Sequence, residues 1–206
     1  MPQDPRQKTW ELAQVDVDAA LRFAKKIEFD WYRCQSLAKV AWHIRHKSKF
    51  IKVVNEGIKI AREMSEPNRT VSCSAWIVRA MTQRDDIDVL PVVEELIQII
   101  RREPNPVRQA DALLLLFEAV YRKQELRQLV LVPLLKACET MKSWKQPRML
   151  TDIALILAVD DLPSANKVVE MIKQDSIKRK AKEAIEKSDW LGPTRILSVY
   201  YAKATS

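Results

Sequence analysis

The stretch EFDWYRCQSLAKVAWHI, residues 28–44, has the pattern of one helix with an arginine in its first turn. The recurrence of this pattern along the chain decides the fold class. A cation in the first turn opposes the positive end of the helix dipole, at a typical cost of ~0.3–1 kcal/mol. The chain repeats the arrangement at spacings of 36, 39, 40 and 30 residues, at Arg33, Arg69, Arg108, Arg148 and Lys178. A period of that size is typical of stacked helix pairs.

Prolines mark where the helices of these pairs begin. Pro67, Pro106 and Pro147 stand directly ahead of second helices, where the missing N–H of proline costs nothing. Pro91 and Pro133 are expected to precede first helices in the same way. The pattern predicts helix pairs at 15–48, 50–85, 89–124, 129–160 and 163–188, with terminal helices at 5–14 and 193–203.

The glycine content supports an all-α chain. Only two glycines, Gly57 and Gly192, occur in 206 residues, although average usage is ~7%. A chain almost without glycine lacks the hairpins, the phosphate-binding loops and the GxSxG turn that depend on it. We therefore predict a single domain over 1–206, built as a right-handed α-α superhelix of about five stacked antiparallel helix pairs, and we predict no enzymatic activity.

Cysteine and histidine usage gives no sign of a metal or a disulfide. Cys34, Cys73 and Cys138 are odd in number and far apart, and they match no CxxC spacing. His43 and His46 lie three residues apart but lack a third ligand of the right type nearby. No uncharged 18-residue apolar stretch occurs. We expect a cytoplasmic protein with no metal, no cofactor and no membrane partner.

A polar residue stands three positions before each repeated cation. Four of these residues have side chains that can accept a hydrogen bond, and the fifth, Lys145, does not. Asp and Asn are good N-cap residues. If such a side chain meets the cation of the next repeat, each charged hydrogen bond contributes ~1.5–3 kcal/mol and outweighs the dipole mismatch. The sequence thus predicts a structural ladder between repeats, formed by Asp30, Arg33, Glu66, Arg69, Asn105, Arg108, Arg148, Asp175 and Lys178.

One segment carries a family resemblance. PNPVRQADALLLLFEA, residues 104–119, has the cap residue Asn105, then Val107–Arg108, then Ala110. It resembles the HEAT repeat, in which an Asp-containing turn precedes a second helix that opens with Val-Arg. The other copies match more loosely, and armadillo and tetratricopeptide variants remain alternatives. The resemblance implies an α-solenoid that binds partners along its second helices.

A basic segment supplies the candidate binding site. Seven basic residues and one acid lie between Lys39 and Arg62, around Trp42. A tryptophan among cations can anchor a protein partner or stack on a base. The predicted partner-binding residues are Lys39, Trp42, His43, Arg45, His46, Lys47, Lys49, Lys52 and Arg79. The alternative interpretation packs Trp42 near Trp10 and makes the lysines a solvated edge.

Three functional hypotheses follow. The first is a non-enzymatic scaffold that binds a protein partner through its concave or second-helix surface. The second is nucleic-acid binding, because size, the net charge of +8 and six tryptophans resemble the HEAT-like DNA glycosylases that excise alkylated purines. The catalytic aspartate of that family matches no motif here, so no catalytic residue is predicted. The third is self-association through apolar ends.

Overall fold

The computed structural model describes residues 4–187, and α-helices make up most of that part. No β-strand occurs within it, which confirms the all-α class. The predicted terminal helix at 193–203 lies outside the described residues. The helices are α1 (Pro5–Val15), α2 (Val17–Lys25), α3 (Asp30–His43), α4 (Lys47–Arg62), α5 (Pro67–Met81), α6 (Leu90–Ile100), α7 (Pro106–Ala119), α8 (Gln124–Thr140), α9 (Gln146–Leu157), α10 (Leu162–Glu170) and α11 (Asp175–Glu186).

The chain divides into two compact units, the first up to Glu103 and the second from Pro104. The first unit holds α1 to α6, and the described part of the second holds α7 to α11. The boundary falls inside the predicted third pair, 89–124, between its first and second helices. The single domain over 1–206 and its superhelical course stay predictions.

Most helix starts follow the proline pattern. Pro67, Pro106 and Pro147 occupy the first or second position of α5, α7 and α9, and Pro91 does so in α6. Pro133 is the exception, since α8 begins at Gln124 and carries this proline in its interior. The prediction was wrong there because the carbonyl that the proline leaves unpaired belongs to Leu129, which is 41% exposed, so water can reach it.

Helix α3 is the centre of the first unit, where it packs against α1, α2, α4 and α5. All its residues from Cys34 to Ala41 are buried, and in α5 every residue from Thr70 to Met81 is buried. Small side chains such as Cys34, Ala38 and Cys73 allow this dense packing, because they let helix axes approach closely. These two second helices, α3 and α5, are therefore enclosed through their middle turns.

Gly57 marks the closest approach of α4 to α5. A β-carbon added there would lie 2.4 Å from Cδ1 of Ile77, which is itself fully buried. The carbonyl oxygen of Gly57 also accepts a hydrogen bond from the Cys34 thiol of α3, at 3.3 Å. A glycine in the interior of a helix lowers its stability by ~0.5–1 kcal/mol relative to alanine. Close packing between helices accounts for its presence here.

Ion pairs between neighbouring repeats lie on the first helices of the first unit. Lys25 pairs with Glu56 at 2.7 Å and Lys49 with Asp18 at 2.5 Å, and both pairs join α2 to α4. Arg62 of α4 donates from Nε to Glu95 of α6 at 2.8 Å, and this partner raises the pKa of the Arg62 guanidinium. Such exposed pairs are typically worth ~0–1 kcal/mol each. They set the register of the stack more than its stability.

The predicted ladder residues make mostly local contacts. Arg33 pairs with Asp30, and Arg69 pairs with Glu66 at 3.4 Å, within a single turn in each case. Asp30 is the first helical residue of α3, one position inside the predicted cap. These contacts offset the unfavourable interaction of each cation with the helix dipole within its own repeat. Each carboxylate lies beside its cation at the positive N-terminal end of the helix.

The remaining ladder positions lie in the second unit. Asn105 does cap α7, accepting from the backbone N–H groups of Val107 and Arg108 at 2.9 and 3.3 Å. Lys178 pairs with Glu170 of α10 at 3.3 Å, while Arg148 and Asp175 are exposed.

In one contact between repeats the acid and the cation are exchanged relative to the predicted ladder. Lys145, the residue that breaks the acceptor pattern, pairs with Asp111 of the preceding second helix at 3.4 Å.

We predict that Gly57→Ala lowers the free energy of unfolding by ~1–2 kcal/mol, because overpacking against Ile77 outweighs the gain in helix propensity. Ile77→Val removes the clashing Cδ1 atom, so the double variant is expected to be more stable than the sum of the single changes. Asn55→Ala, on the exposed face of the same helix, is the control and is expected to stay within ~0.5 kcal/mol of wild type. Chemical denaturation of the wild type and the four variants measures these free energies. Strict additivity would contradict the proposed contact.

Candidate functional site

The predicted partner-binding residues do not form one surface. Two of them, Lys39 and Arg79, are buried, so neither is free to touch a partner. Trp42, His43 and Lys49 are partly buried, and Arg45, His46, Lys47 and Lys52 are exposed. The structure thus separates a buried polar cluster, at the contact of α1 with α3, from an exposed basic edge.

The buried cluster centres on Lys39. Its ammonium group donates to the backbone oxygen of Arg6 at 3.1 Å and lies 6.0 Å from the ring centre of Trp10. The Trp10 ring meets His43 edge-on, with ring centres 4.8 Å apart. The Arg6 guanidinium donates to Gln35 at 3.0 Å. Contrary to the solvated-edge interpretation, Lys39 therefore anchors α1 onto α3.

Trp42 faces a different neighbour. The Arg79 guanidinium of α5 lies over its ring, 5.9 Å from the centre. Such a contact contributes ~0.5–1 kcal/mol at exposed sites and more where it is desolvated. Trp42 thereby helps to join α3 to α5, and its ring is not the freely exposed anchor that the sequence analysis required.

Burial changes the proton affinity of this cluster. It lowers the pKa of Lys39 from 10.5 to about 8, against the opposing influence of the Asp4 carboxylate. It also lowers the pKa of His43, whose Nε2 atom is buried without a hydrogen-bond partner among the described residues. A buried charge of this kind opposes folding.

The exposed basic edge is tied down by acids and carbonyl groups. Lys47 donates to the backbone oxygen of Asp86 at 2.8 Å, and Lys49 pairs with Asp18. Arg84 donates to the backbone oxygens of Ile44 and Arg45, at 3.2 and 3.1 Å. The Lys47 and Arg84 contacts fasten the α3–α4 turn to the α5–α6 turn, and the Lys49 pair joins α4 to α2.

A cleft that sequence reasoning missed opens at the other end of the second helices. We call it the first turn cleft. It has a volume of about 510 Å³ and lies between the α2–α3 turn and the α4–α5 turn. Its lining residues are Phe29, Asp30, Trp31, Met64, Ser65 and Arg69.

The first turn cleft presents apolar groups to solvent beside a cation. Phe29 is 70% exposed, and its ring meets Tyr32 edge-on at 6.1 Å. The Arg69 side chain is 62% exposed. Phe29 occupies the N-cap position of α3, where a short polar residue is preferred and where it makes no cap hydrogen bond. An aromatic residue at a cap was the sequence signal that could have revealed this site.

The thiols among the described residues are not activated. The three cysteines are buried, and burial raises the pKa of the Cys138 thiol to about 12 and that of Cys73 well above its usual range. Thiols of this kind are poor nucleophiles. Between residues 4 and 187 no group of three or more His, Cys, Asp or Glu side chains is placed to hold a metal ion. No helix in that range is long and apolar enough to span a bilayer.

Comparison with known proteins finds no family model that matches the chain, and no curated protein or solved structure with significant similarity to it.

We predict that Lys39→Met raises the free energy of unfolding at pH 7 by ~1–3 kcal/mol, because it removes a buried charge and keeps the packing. In wild type the unfolded chain holds the Lys39 proton up to pH 10.5, whereas the folded chain releases it near pH 8. Stability should therefore rise between pH 8 and 10.5, and this rise should be absent in the variant.

Denaturation midpoints across that pH range test the prediction, with the exposed Lys52→Met as control. A destabilised variant with an unchanged pH profile would show that the Lys39 charge is not penalised by burial.

Proposed function

We propose that this chain is a non-enzymatic helical-repeat module of the HEAT-like type that binds a protein partner. The first turn cleft is the observation that carries the proposal. Aromatic residues, methionine and arginine are enriched at protein interfaces and dominate their binding energy. Phe29, Trp31, Met64 and Arg69 gather these residue types in one cleft.

The burial of the second helices directs the partner to this cleft. The middle turns of α3 and α5 are enclosed by neighbouring helices of the first unit, so they offer no continuous binding face. Their first turns remain accessible, and both contribute to the cleft. The binding surface predicted along the second helices is thereby narrowed to their N-terminal ends.

The nucleic-acid alternative has less support. A surface that grips a phosphate backbone needs free cations along its length. Here Lys39 and Arg79 are buried, and Lys47 and Lys49 are engaged with Asp86 and Asp18. The exposed cations Arg45 and Lys52 form no ion pair within the described residues, but two residues make a small patch.

The test is capture of a partner from a native lysate by the full chain, with Phe29→Asp as the cleft variant. The change places a charge on the apolar wall and is expected to weaken the captured interaction at least tenfold, or ~1.4 kcal/mol. Val15→Asp is the matched control, because Val15 is 90% exposed and lies at the end of α1. Thermal unfolding checks that both variants fold.

Two results would oppose the proposal. One is the absence of any stable partner at every salt concentration. The other is that Phe29→Asp captures the partner no more weakly than Val15→Asp does, whether both lose it or both keep it. Retention on heparin with a salt-dependent shift of labelled DNA would favour the nucleic-acid alternative instead, and a mass that grows with concentration in light scattering would favour self-association.

A further inference from the structure

The second unit contains a cleft at the corresponding place in its own repeats. We call it the second turn cleft. It has a volume of about 460 Å³ and lies between the segment that precedes α7 and the α8–α9 turn. The residues that matter for its chemistry are Pro104, Asn105, Pro106, Val107, Met141 and Lys142.

The two clefts correspond at the turn before the leading second helix, and each also contains a methionine and a cation. Counted back from the aligned arginine of the leading repeat, positions 4, 3 and 2 are Phe29, Asp30 and Trp31 in the first cleft. The same positions are Pro104, Asn105 and Pro106 in the second. The following repeat supplies a methionine and a cation to each cleft, Met64 with Arg69 and Met141 with Lys142. Counted from the aligned cations Arg69 and Arg148, Met64 and Arg69 stand at positions −5 and 0, and Met141 and Lys142 at −7 and −6. The two clefts therefore share these residue types but not their repeat positions.

Each cleft combines an apolar floor with an accessible cation. Lys142 is exposed and forms no ion pair within the described residues. The Arg69 side chain is 62% exposed, and its one ion pair within the described residues is the 3.4 Å contact with Glu66. The acid in the first cleft, Asp30, is already paired with Arg33. In the second cleft the side chain of Asn105 is neutral and is occupied in capping α7.

From this complementarity we infer that each turn cleft accepts the same kind of occupant, an extended partner segment that presents an apolar side chain next to a carboxylate. The apolar side chain packs on the methionine and its aromatic or proline neighbours. The carboxylate pairs with Arg69 in the first cleft and with Lys142 in the second. The inference rests on the proposed function and adds to it a partner chemistry and a second site.

The experiment uses the full chain as bait for a random dodecapeptide library displayed on phage. The expected enrichment is for peptides with Asp, Glu or a free C-terminal carboxylate beside a large apolar residue. An enriched peptide is then synthesised and titrated calorimetrically. Wild type should bind two equivalents, Arg69→Glu one, Lys142→Glu one, and the double variant none. Lys180→Glu, a charge reversal at an exposed lysine of α11, should leave two.

The outcomes separate this inference from the proposed function. Wild type could bind only one equivalent of the peptide, and this binding could be lost in Arg69→Glu and kept in Lys142→Glu. That result overturns the inference and leaves the protein-binding proposal standing. Enrichment of basic peptides, or of none, overturns the chemistry assigned to the occupant. If Phe29→Asp also fails to affect partner capture from a lysate, both proposals fall. Loss of binding in Lys180→Glu would show that overall charge, and not the clefts, controls the interaction.

Discussion

The close packing of α3 against its neighbours is the constraint on which the rest of the first unit depends. Four helices contact α3, and small residues such as Cys34 and Ala38 let them approach. Gly57 extends the same principle to the contact between α4 and α5, where a single methyl group would collide with Ile77. Because interiors are packed as densely as organic crystals, this arrangement leaves no room along the middle turns for a partner. The proposed partner site therefore lies at the ends of these helices.

The buried cluster shows that the packing is not optimised for stability alone. A lysine whose pKa is lowered to about 8 carries its charge at neutral pH in a place where charge opposes folding. Its bond to the Arg6 carbonyl, together with the His43 and Trp10 contact, fixes the position of α1 on α3. Polar contacts of this kind specify one docking geometry where apolar side chains alone would tolerate several. The position of α1 matters because Arg6 lies over Tyr32, whose ring contacts Phe29 of the first turn cleft.

The sequence predicted the positions of the helices well and the side-chain contacts between them poorly. Periodicity and proline placement predicted α5, α7 and α9 closely, because these signals act within one turn of the chain. Pro133 misled because a solvent-facing turn can tolerate the break. Lys39 misled because a charge in a helix pattern suggests solvent, whereas a long aliphatic stem can carry the ammonium group to a carbonyl on another helix. The pairs Lys25–Glu56 and Lys49–Asp18 were missed because each joins residues 31 apart in sequence, and periodicity alone does not define such pairs.

Hydrogen exchange of the backbone amides tests the central claim, that the second helices are an enclosed core and their first turns an accessible surface. Amides from Cys34 to Ala41 and from Thr70 to Met81 are expected to exchange only through global unfolding, with the free energy of unfolding that denaturation gives. Amides around Phe29 and Ser65 should exchange much earlier, through local opening. If the α5 amides exchanged as early as those of the turns, the second helices would not be enclosed. The reason for placing the partner at the clefts would then be wrong.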